Sequence, residues 1–243
     1  MSEATIIELS EGTVEVLRKL YDVDQSIRID HQQTEDGSTV LRTKSYNNTT
    51  MAKVKIEEQF PRDINIYDLR EFISVLGIVE DPVLNLENDN YIIIHSKDNR
   101  QKLRYLEANP DLIASYINKD PMMQSEDEVI EVSEQKFKSV MTAAQALRFE
   151  YVGFVAKEGK VFLTSFNRNE GSGQENNAYS IELEESDKEF KLLYKMNLQN
   201  ISILGGEGSL TFFLDGQRKI SKIETETGKT FWISFDSDSE YNS

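Results

Sequence analysis

Four segments of the chain place apolar residues at helical spacing, so the sequence predicts four helices. Ser10 and Asp68 are suited to cap the first two, because their side chains can accept hydrogen bonds from the first turn. The predicted helices span residues 13–20, 69–76, 133–147 and 197–204, and Gly77 is expected to end the second. Their inward residues are expected to be Val14, Leu17 and Tyr21; Leu69, Phe72, Ile73 and Leu76; and Phe137, Val140, Met141, Ala144 and Leu147.

Most of the remaining chain has the short apolar runs, the alternation and the turn residues typical of antiparallel strands. The predicted strands are 26–30, 39–45, 52–57, 83–86, 91–95, 102–106, 151–156, 160–165, 178–184, 189–194, 210–214, 219–224 and 229–235. Each half therefore consists of helix, strands, helix and strands. This order predicts an α+β fold with few helices and many short strands.

The two halves share sequence features in the same order, which indicates an internal duplication. A helix opens at Ser10-Glu11, and another opens at Ser133-Glu134, 123 positions later. The helix-forming stretch 68–77 is likewise echoed by 197–205, with one residue fewer. Two similar domains in tandem can build rings, shells or two-lobed clefts.

The chain of 243 residues is long enough for two domains of ordinary size. We predict a first domain at 1–108, a connector at 109–128, a second domain at 129–235 and an acidic, disordered tail at 236–243. The connector has two of the four prolines but enough apolar residues to lie against the protein. A flexible loop is expected at 169–177.

Composition argues against an enzyme and against a metal site. Cysteine is absent and only His31 and His95 supply imidazole, so neither a catalytic triad nor a zinc site is easily assembled. We therefore expect no catalytic residue, no metal and no cofactor. No apolar run approaches the roughly 18 residues of a membrane span, so a soluble protein without a membrane partner is expected.

The net charge of −16 is shared evenly: residues 1–125 hold 14 basic and 22 acidic residues, and 126–243 hold 13 and 21. Such acidity disfavours nucleic acid on most of the surface. Several cations nevertheless lie on or beside the predicted helices, mostly away from the apolar stripe. They are Arg18, Lys19, Arg70, Lys136, Lys138, Arg148 and Lys195. Two interpretations stay open: an ordinary solvated helix surface, or a basic face that contacts duplex DNA without reading its sequence.

Several stretches resemble the DNA polymerase sliding clamps of large T-even-type bacteriophages. They are Phe60–Leu69 with Phe72–Leu76, the acidic turn Glu80-Asp81, Tyr91–Ile94, Val155–Val161 with Ser165–Asn167, Tyr179–Leu183 and Lys195–Asn197. The resemblance covers nearly the whole chain in order.

The resemblance implies a closed homotrimeric ring whose subunits each contain two similar clamp domains. Each domain would have two helices packed on antiparallel sheet, with helices lining the hole and strands outside. The seven cations would face double-stranded DNA, and the ring would tether the replicative polymerase without enzymatic activity. A clamp loader is a further implied partner, and the place of action would be the cytoplasm of the infected bacterial host.

The resemblance also implies two protein-binding sites. Pairing of edge strand 102–106 with 179–183 of the next subunit would close the ring through Leu103, Tyr105, Tyr179, Ile181 and Leu183. Partner proteins would insert apolar tails into a pocket near the domain junction formed by Ile113, Tyr116, Ile117, Met122, Phe231 and Ile233.

Two alternatives accompany this hypothesis. One is a non-enzymatic phage structural or assembly protein with duplicated β-rich domains, which would not need basic residues on the helices of both halves. The other is a clamp relative whose main task is transcription coactivation; one ring of this family can serve both roles, and the sequence does not separate them.

Overall fold

The computed structural model describes residues 5–31, 37–126, 128–168, 175–196 and 201–242. By its internal contacts the chain divides into two compact units, Met1–Asp120 and Pro121–Ser243. The boundary falls inside the predicted connector. The predicted loop 169–177 and the predicted fourth helix both lie partly outside the described residues, at 169–174 and 197–200.

The first unit alternates strands with two helices. Its elements are β1 Ile6–Glu8, α1 Glu11–Tyr21, β2 Ile27–Ile29, β3 Thr39–Lys44, β4 Thr50–Ile56, β5 Ile64–Ile66, α2 Leu69–Ile78, β6 Pro82–Asn85, β7 Tyr91–Ser96, β8 Lys102–Leu106 and a short 3-10 helix, Pro110–Leu112. An antiparallel sheet has the order β1-β6-β7-β8. Strands β2 and β5 pair with each other, as do β3 and β4.

The second unit repeats this order with longer strands. Its elements are β9 Glu128–Val132, α3 Glu134–Ala146, β10 Tyr151–Lys157, β11 Lys160–Arg168, β12 Glu175–Glu185, β13 Glu189–Lys195, a 3-10 helix Ile201–Leu204, β14 Leu210–Asp215, β15 Ile220–Thr225, β16 Thr230–Ser234 and β17 Glu240–Asn242. One antiparallel sheet has the order β12-β11-β10-β13-β17. In the other, β9 pairs with β14, β14 with β15, and β15 with β16.

The strand pairings confirm that the two units share one topology. In each unit the strand before the first helix pairs with the first strand after the second helical segment, and two hairpin partners follow: β1-β6-β7-β8 and β9-β14-β15-β16. The β2–β5 pair likewise matches the β10–β13 pair. The α+β fold with two similar domains is therefore confirmed.

The helices begin where the capping residues predict. The Ser10 hydroxyl accepts a hydrogen bond from the Thr13 amide at 3.1 Å, and the Asp68 carboxylate accepts one from the Glu71 amide at 2.9 Å. The Ser133 hydroxyl accepts from the Lys136 amide at 3.4 Å. Each cap satisfies a first-turn amide that has no partner within its own helix.

Three details of the predicted helices are wrong. In α1 the buried residues are Thr13, Leu17 and Leu20, while Tyr21 is exposed. Helix α2 passes Gly77 and ends at Ile78. Leu147 is 56% exposed because α3 ends at Ala146, and the turn that follows buries Phe149 in its place.

In the second unit, the second helical segment is short. Among the described residues it is a 3-10 helix whose Ile201, Ile203 and Leu204 are buried. Lys195, predicted at the start of this helix, is instead the last residue of β13.

The acidic tail is ordered, contrary to the prediction. Strand β17 pairs with β13, and the Tyr241 ring stacks on Phe190 with centroids 6.0 Å apart. The Ser239 hydroxyl accepts a hydrogen bond from the Leu193 amide at 2.9 Å. These contacts with a buried strand outweigh the local preference of acidic and serine residues for disorder.

Gly153 lies in β10 opposite Leu193 of β13 and has no space for a side chain. A Cβ at this position would lie 2.1 Å from the Leu192 carbonyl oxygen. We predict that Gly153→Ala lowers the free energy of unfolding by about 1–3 kcal/mol or more, because the backbone of β13 must move. Urea denaturation followed by circular dichroism measures this change.

Gly77→Ala is the matched control for this substitution. No atom lies within 4 Å of a Cβ at Gly77, and the residue is inside α2. We expect it to raise the free energy of unfolding by about 0.5–1 kcal/mol, the usual gain from replacing a helical glycine. Equal stability of Gly153→Ala and the wild-type protein would contradict the close approach of the β10 and β13 backbones at Gly153.

Candidate nucleic-acid interface

The buried stripe of each helix determines which charged residues face outward. In α1, Leu17 and Leu20 are 1% exposed, and a rotation of about 100° per residue turns the next position away from the core. Arg18 is accordingly exposed and has no hydrogen-bond or ion-pair partner among the described residues. Lys19 is half-buried. Both predicted cations of α1 thus lie outside its apolar stripe.

Helix α2 presents a single cation. Leu69 and Phe72 are buried and Arg70, between them in sequence, is exposed. The Ser74 hydroxyl, one turn later, donates to the Arg70 carbonyl oxygen at 2.8 Å. Arg70 thus has a small polar residue as its neighbour one turn along the helix.

Helix α3 combines one outward lysine with neutral residues. Phe137, Val140, Met141 and Ala144 are buried, and Lys138 is exposed. Gln135, Ser139, Thr142 and Ala146 occupy the rest of the surface opposite the buried stripe. The only acidic residue of α3 is Glu134 in its first turn, where the negative charge interacts favourably with the helix dipole.

Lys136 belongs to a different environment from Lys138. Its ammonium donates to the Glu182 carbonyl oxygen of β12 at 3.1 Å, and the side chain is half-buried. It lines a cavity of about 540 Å³ that also contains Glu131 and Glu224. The sequence could not distinguish the two lysines, because Glu182 is 46 positions away.

Arg148 and Lys195 line one cavity of about 580 Å³ at the C-terminal end of α3, together with Gln145 and Tyr151. The Lys195 ammonium lies 3.0 Å from an Asp236 carboxylate oxygen, and this hydrogen-bonded ion pair raises the pKa of Lys195. Among the described residues Arg148 has no such partner. The cavity is thus lined by a lysine whose charge is neutralised by Asp236 and by an arginine that can bind an anion.

Acidic residues near the cations reduce the positive charge of the helix surfaces. Glu11 and Glu15 are exposed on α1, and Glu71 is exposed on α2 beside Arg70. The helical spacing of these carboxylates in the sequence already places them outside the apolar stripes, near the cations. The resulting surface has separated positive positions, which suits weak, sequence-independent phosphate contacts.

The predicted subunit-interface strands both lie at sheet edges. Among the described residues β8 pairs only with β7, and β12 only with β11. On β12, Tyr179 is exposed and Ile181 and Leu183 are half-buried; Leu103 of β8 is half-buried. These four side chains retain surface for another chain.

Tyr105 of β8 differs from the other interface candidates. Its ring meets the edge of Phe72 at a centroid distance of 5.2 Å, and its hydroxyl donates to the Asp68 carbonyl oxygen at 3.3 Å. Burial raises the pKa of Tyr105 to about 12. Tyr105 therefore supports the core beneath the edge, and only the backbone of this residue is available to a neighbour.

The six predicted pocket residues differ in exposure. Met122 is 75% exposed, Tyr116 and Ile117 are half-buried, and Ile113 is buried. Phe231 and Ile233 are completely buried. In this conformation the apolar surface of the set comes from Tyr116, Ile117 and Met122, and a pocket formed by all six stays a prediction.

Among the described residues, no group of His, Cys, Asp and Glu has the arrangement of a metal centre. Within the described ranges, no helix is long and apolar enough to cross a membrane.

Comparison with known proteins identifies relatives of the whole chain. A family model described as "DNA polymerase processivity factor" matches residues 34–115. The sliding clamp of Enterobacteria phage T4 is 24% identical over 237 residues, covering 97% of this chain and all of the relative. The sliding clamp of Escherichia phage RB69 is 22% identical with the same coverage.

Solved structures give the same fold. PCNA from Thermococcus kodakaraensis superposes with a TM-score of 0.66 at 13% identity, covering 96% of this chain and 99% of that one. The resemblance to T-even-type phage sliding clamps, stated from the sequence, is confirmed by the relatives from T4 and RB69.

Arg148 adopts the left-handed backbone conformation, with φ +53°, at a helix end where glycine is usual. We predict that Arg148→Gly keeps or raises the free energy of unfolding, by up to about 1 kcal/mol, because the strain at positive φ exceeds the value of an exposed charge at a helix end. Urea denaturation measures this. A loss of more than about 1 kcal/mol would show that the guanidinium is needed for the fold.

Proposed function

We infer that this chain is a sliding clamp: a non-enzymatic protein that encircles duplex DNA and tethers a DNA polymerase. One observation carries the inference, the similarity to the T4 and RB69 sliding clamps along 97% of the chain. The duplicated topology agrees with it, because tandem copies of one unit suit a ring built from repeated interfaces. The protein would act in the cytoplasm of the infected bacterial host.

The helices supply the proposed DNA-facing surface. Arg18, Arg70, Lys138 and Arg148 are exposed and lie outside the buried stripes. Lys19, Lys136 and Lys195 complete the set, although Lys136 and Lys195 already have partners on β12 and at Asp236. Contacts of this kind reach phosphates without reading bases. Weak contacts suit the function. A closed ring stays on the DNA because it encircles it, and tight contacts to phosphates would prevent it from sliding.

The acidity of the rest of the chain supports the same function. With a net charge of −16, most of the surface repels nucleic acid, while the outward cations of the helices attract it. DNA is therefore favoured only where the helices face it. The hold on DNA would weaken with salt, since each phosphate contact releases counterions.

We propose that three subunits close the ring by pairing β8 of one with β12 of the next. Both strands have an unpaired edge among the described residues, which is the structural requirement for strand addition. Their charges are complementary: β8 carries Lys102 and Arg104, and β12 carries Glu182 and Glu184. Burial and the nearby Glu128 and Glu131 raise the pKa of Glu184, so a cation from a neighbouring subunit would stabilise its charged form.

A polymerase and a clamp loader are proposed to dock with apolar tails near the connector. The support is the partial exposure of the apolar side chains of Tyr116 and Ile117 in the first unit and, separately, the exposure of Met122 in the second.

The proposed function predicts the effect of reversing the outward charges. We expect the triple variant Arg18→Glu/Arg70→Glu/Lys138→Glu to lower polymerase processivity at least about tenfold on primed DNA, because repulsion replaces attraction along the helices. Its assembly mass should stay that of the wild-type protein, since none of the three residues lies on β8 or β12.

The matched control reverses three exposed charges away from the helices, Lys97→Glu/Arg100→Glu/Lys157→Glu. It changes the net charge equally and should retain processivity. Equal loss in both variants would assign the effect to net charge, and full processivity in the helix variant would contradict the DNA-facing surface.

A further inference from the structure

Arg62 uses every N–H donor of its guanidinium group. Its Nε donates to the Leu86 carbonyl oxygen at 3.2 Å, Nη1 to the Asp63 carbonyl oxygen at 2.8 Å and Nη2 to the Asn88 carbonyl oxygen at 2.6 Å. The two remaining donors bind the Glu107 carboxylate, at 3.0 Å from Nη1 and 2.5 Å from Nη2. A lysine, with three donors on a single nitrogen, could not reproduce this arrangement.

These contacts join three separate segments of the first unit. One of the carbonyl groups precedes β5, two lie in the turn between β6 and β7, and Glu107 directly follows β8. The Glu107 carboxylate also accepts a hydrogen bond from the Asn65 amide of β5 at 3.2 Å. Arg62 and Glu107 thus connect the end of β8 with β5 and with the β6–β7 turn.

The backbone at the end of β8 depends on the same segments. The Glu107 amide donates to the Asn90 carbonyl oxygen at 3.1 Å, and the Ala108 amide donates to the Asn65 carbonyl oxygen at 3.0 Å. Asn90 belongs to the turn that Arg62 holds by two carbonyl groups. Loss of Arg62 would therefore loosen the turn that supplies the acceptor for the Glu107 amide.

The Arg62–Glu107 ion pair is largely buried, with side chains 18% and 3% exposed. A buried ion pair is a poor source of stability, because the desolvation of two charges offsets their attraction, and apolar residues of similar size often serve as well. Its best-attested advantage is that it fixes one arrangement of the segments that it joins. The pair is therefore best explained by the geometry that it imposes on β8.

A second side chain holds β8 two positions earlier. The Tyr105 hydroxyl donates to the Asp68 carbonyl oxygen at 3.3 Å. Because side chains alternate along a strand, Tyr105 and Glu107 share the inner face, while Arg104 and Leu106 are exposed. The edge strand is thus held from its inner face at two consecutive inward positions.

We propose that Arg62 is a positioning residue for ring closure: through Glu107 it holds the last residues of β8 extended and in register for pairing with β12 of the next subunit. The proposal rests on the proposed function and adds to it the residue that prepares the edge. Strand β8 has only five residues, so a frayed end removes a large share of the hydrogen bonds open to a neighbouring strand. A slip of one residue would also turn Arg104 to the other face.

Arg62→Lys tests the proposal, because it keeps the charge and removes the guanidinium geometry. We expect the variant to fold and each subunit interface to weaken about tenfold, since hydrogen bonds at the end of β8 are lost. A closed trimer has three equal interfaces, so the protein concentration at half-assembly should rise about thirtyfold. Mass photometry and light scattering over a concentration series measure this midpoint.

Arg28→Lys is the matched control. Arg28 lies in β2 of the same unit, and its ion pairs are with Asp30 at 3.0 Å and Asp63 at 2.6 Å, both outside β8. The substitution therefore weakens an arginine–carboxylate contact of the same kind without touching the edge strand. We expect it to assemble at the same concentration as the wild-type protein.

The double variant Arg62→Met/Glu107→Gln covers the case in which Arg62→Lys fails to fold. It leaves no unpaired buried charge, and apolar replacement of a buried ion pair is often tolerated. We expect it to fold, as circular dichroism would show, and to need about thirtyfold more protein for half-assembly, as Arg62→Lys does.

Amide hydrogen exchange distinguishes positioning from general stabilisation. In dilute, monomeric protein, Arg62→Lys should speed exchange at Glu107 and Ala108 about tenfold or more and leave the amides of α1 and β3 unchanged. Equal acceleration throughout the first unit would assign Arg62 to overall stability and overturn the proposal.

Two assembly results would also overturn the proposal, and they differ in their consequence for the proposed function. A wild-type protein that stays monomeric at every concentration contradicts the ring itself and, with it, the role of Arg62. A wild-type trimer whose half-assembly concentration is shared by the folded Arg62 variants contradicts only the role of Arg62.

Discussion

The burial of one apolar stripe per helix is the constraint on which the rest of this molecule depends. Leu17, Phe72 and Phe137 are at most 4% exposed, and they fix the rotation of α1, α2 and α3 about their axes. Because this rotation is fixed, Arg18 and Lys138 face outward, and no other interaction is needed to orient them. Hydrophobic packing thus determines where the positive charges lie, and the proposed DNA contact follows from the core rather than from a separately built site.

The fold was largely predictable because its signals are local. All thirteen strands expected from alternation and turn residues are present, within a few residues of their predicted ends. Strands β1, β5 and β17 were missed because three residues are too few to show a repeating pattern, and the five-residue β9 was missed as well. Strand β17 forms through its pairing with β13, and a pairing between distant segments has no local signature. The duplication was visible in the helix caps and recurs in the strand order of both units.

The candidate site was predictable in part, for the same physical reason. Helical spacing identified Arg18, Arg70 and Lys138 as outward cations, because their orientation depends on neighbours three or four positions away. It could not show that Lys195 pairs with Asp236, 41 positions later, or that Tyr105 is held in the core. Nor could it separate exposed apolar residues of the connector from buried ones. Tertiary neighbours decide which charges remain available to a ligand.

The central claim is that this chain forms a closed ring, and the mass of the protein in solution tests it most directly. Light scattering behind a size-exclusion column, at several concentrations, gives that mass without reference to any partner. The account predicts an assembly of three chains of 27.9 kDa each. A single mass of 27.9 kDa at every concentration would contradict the ring and with it the proposed topological hold on DNA.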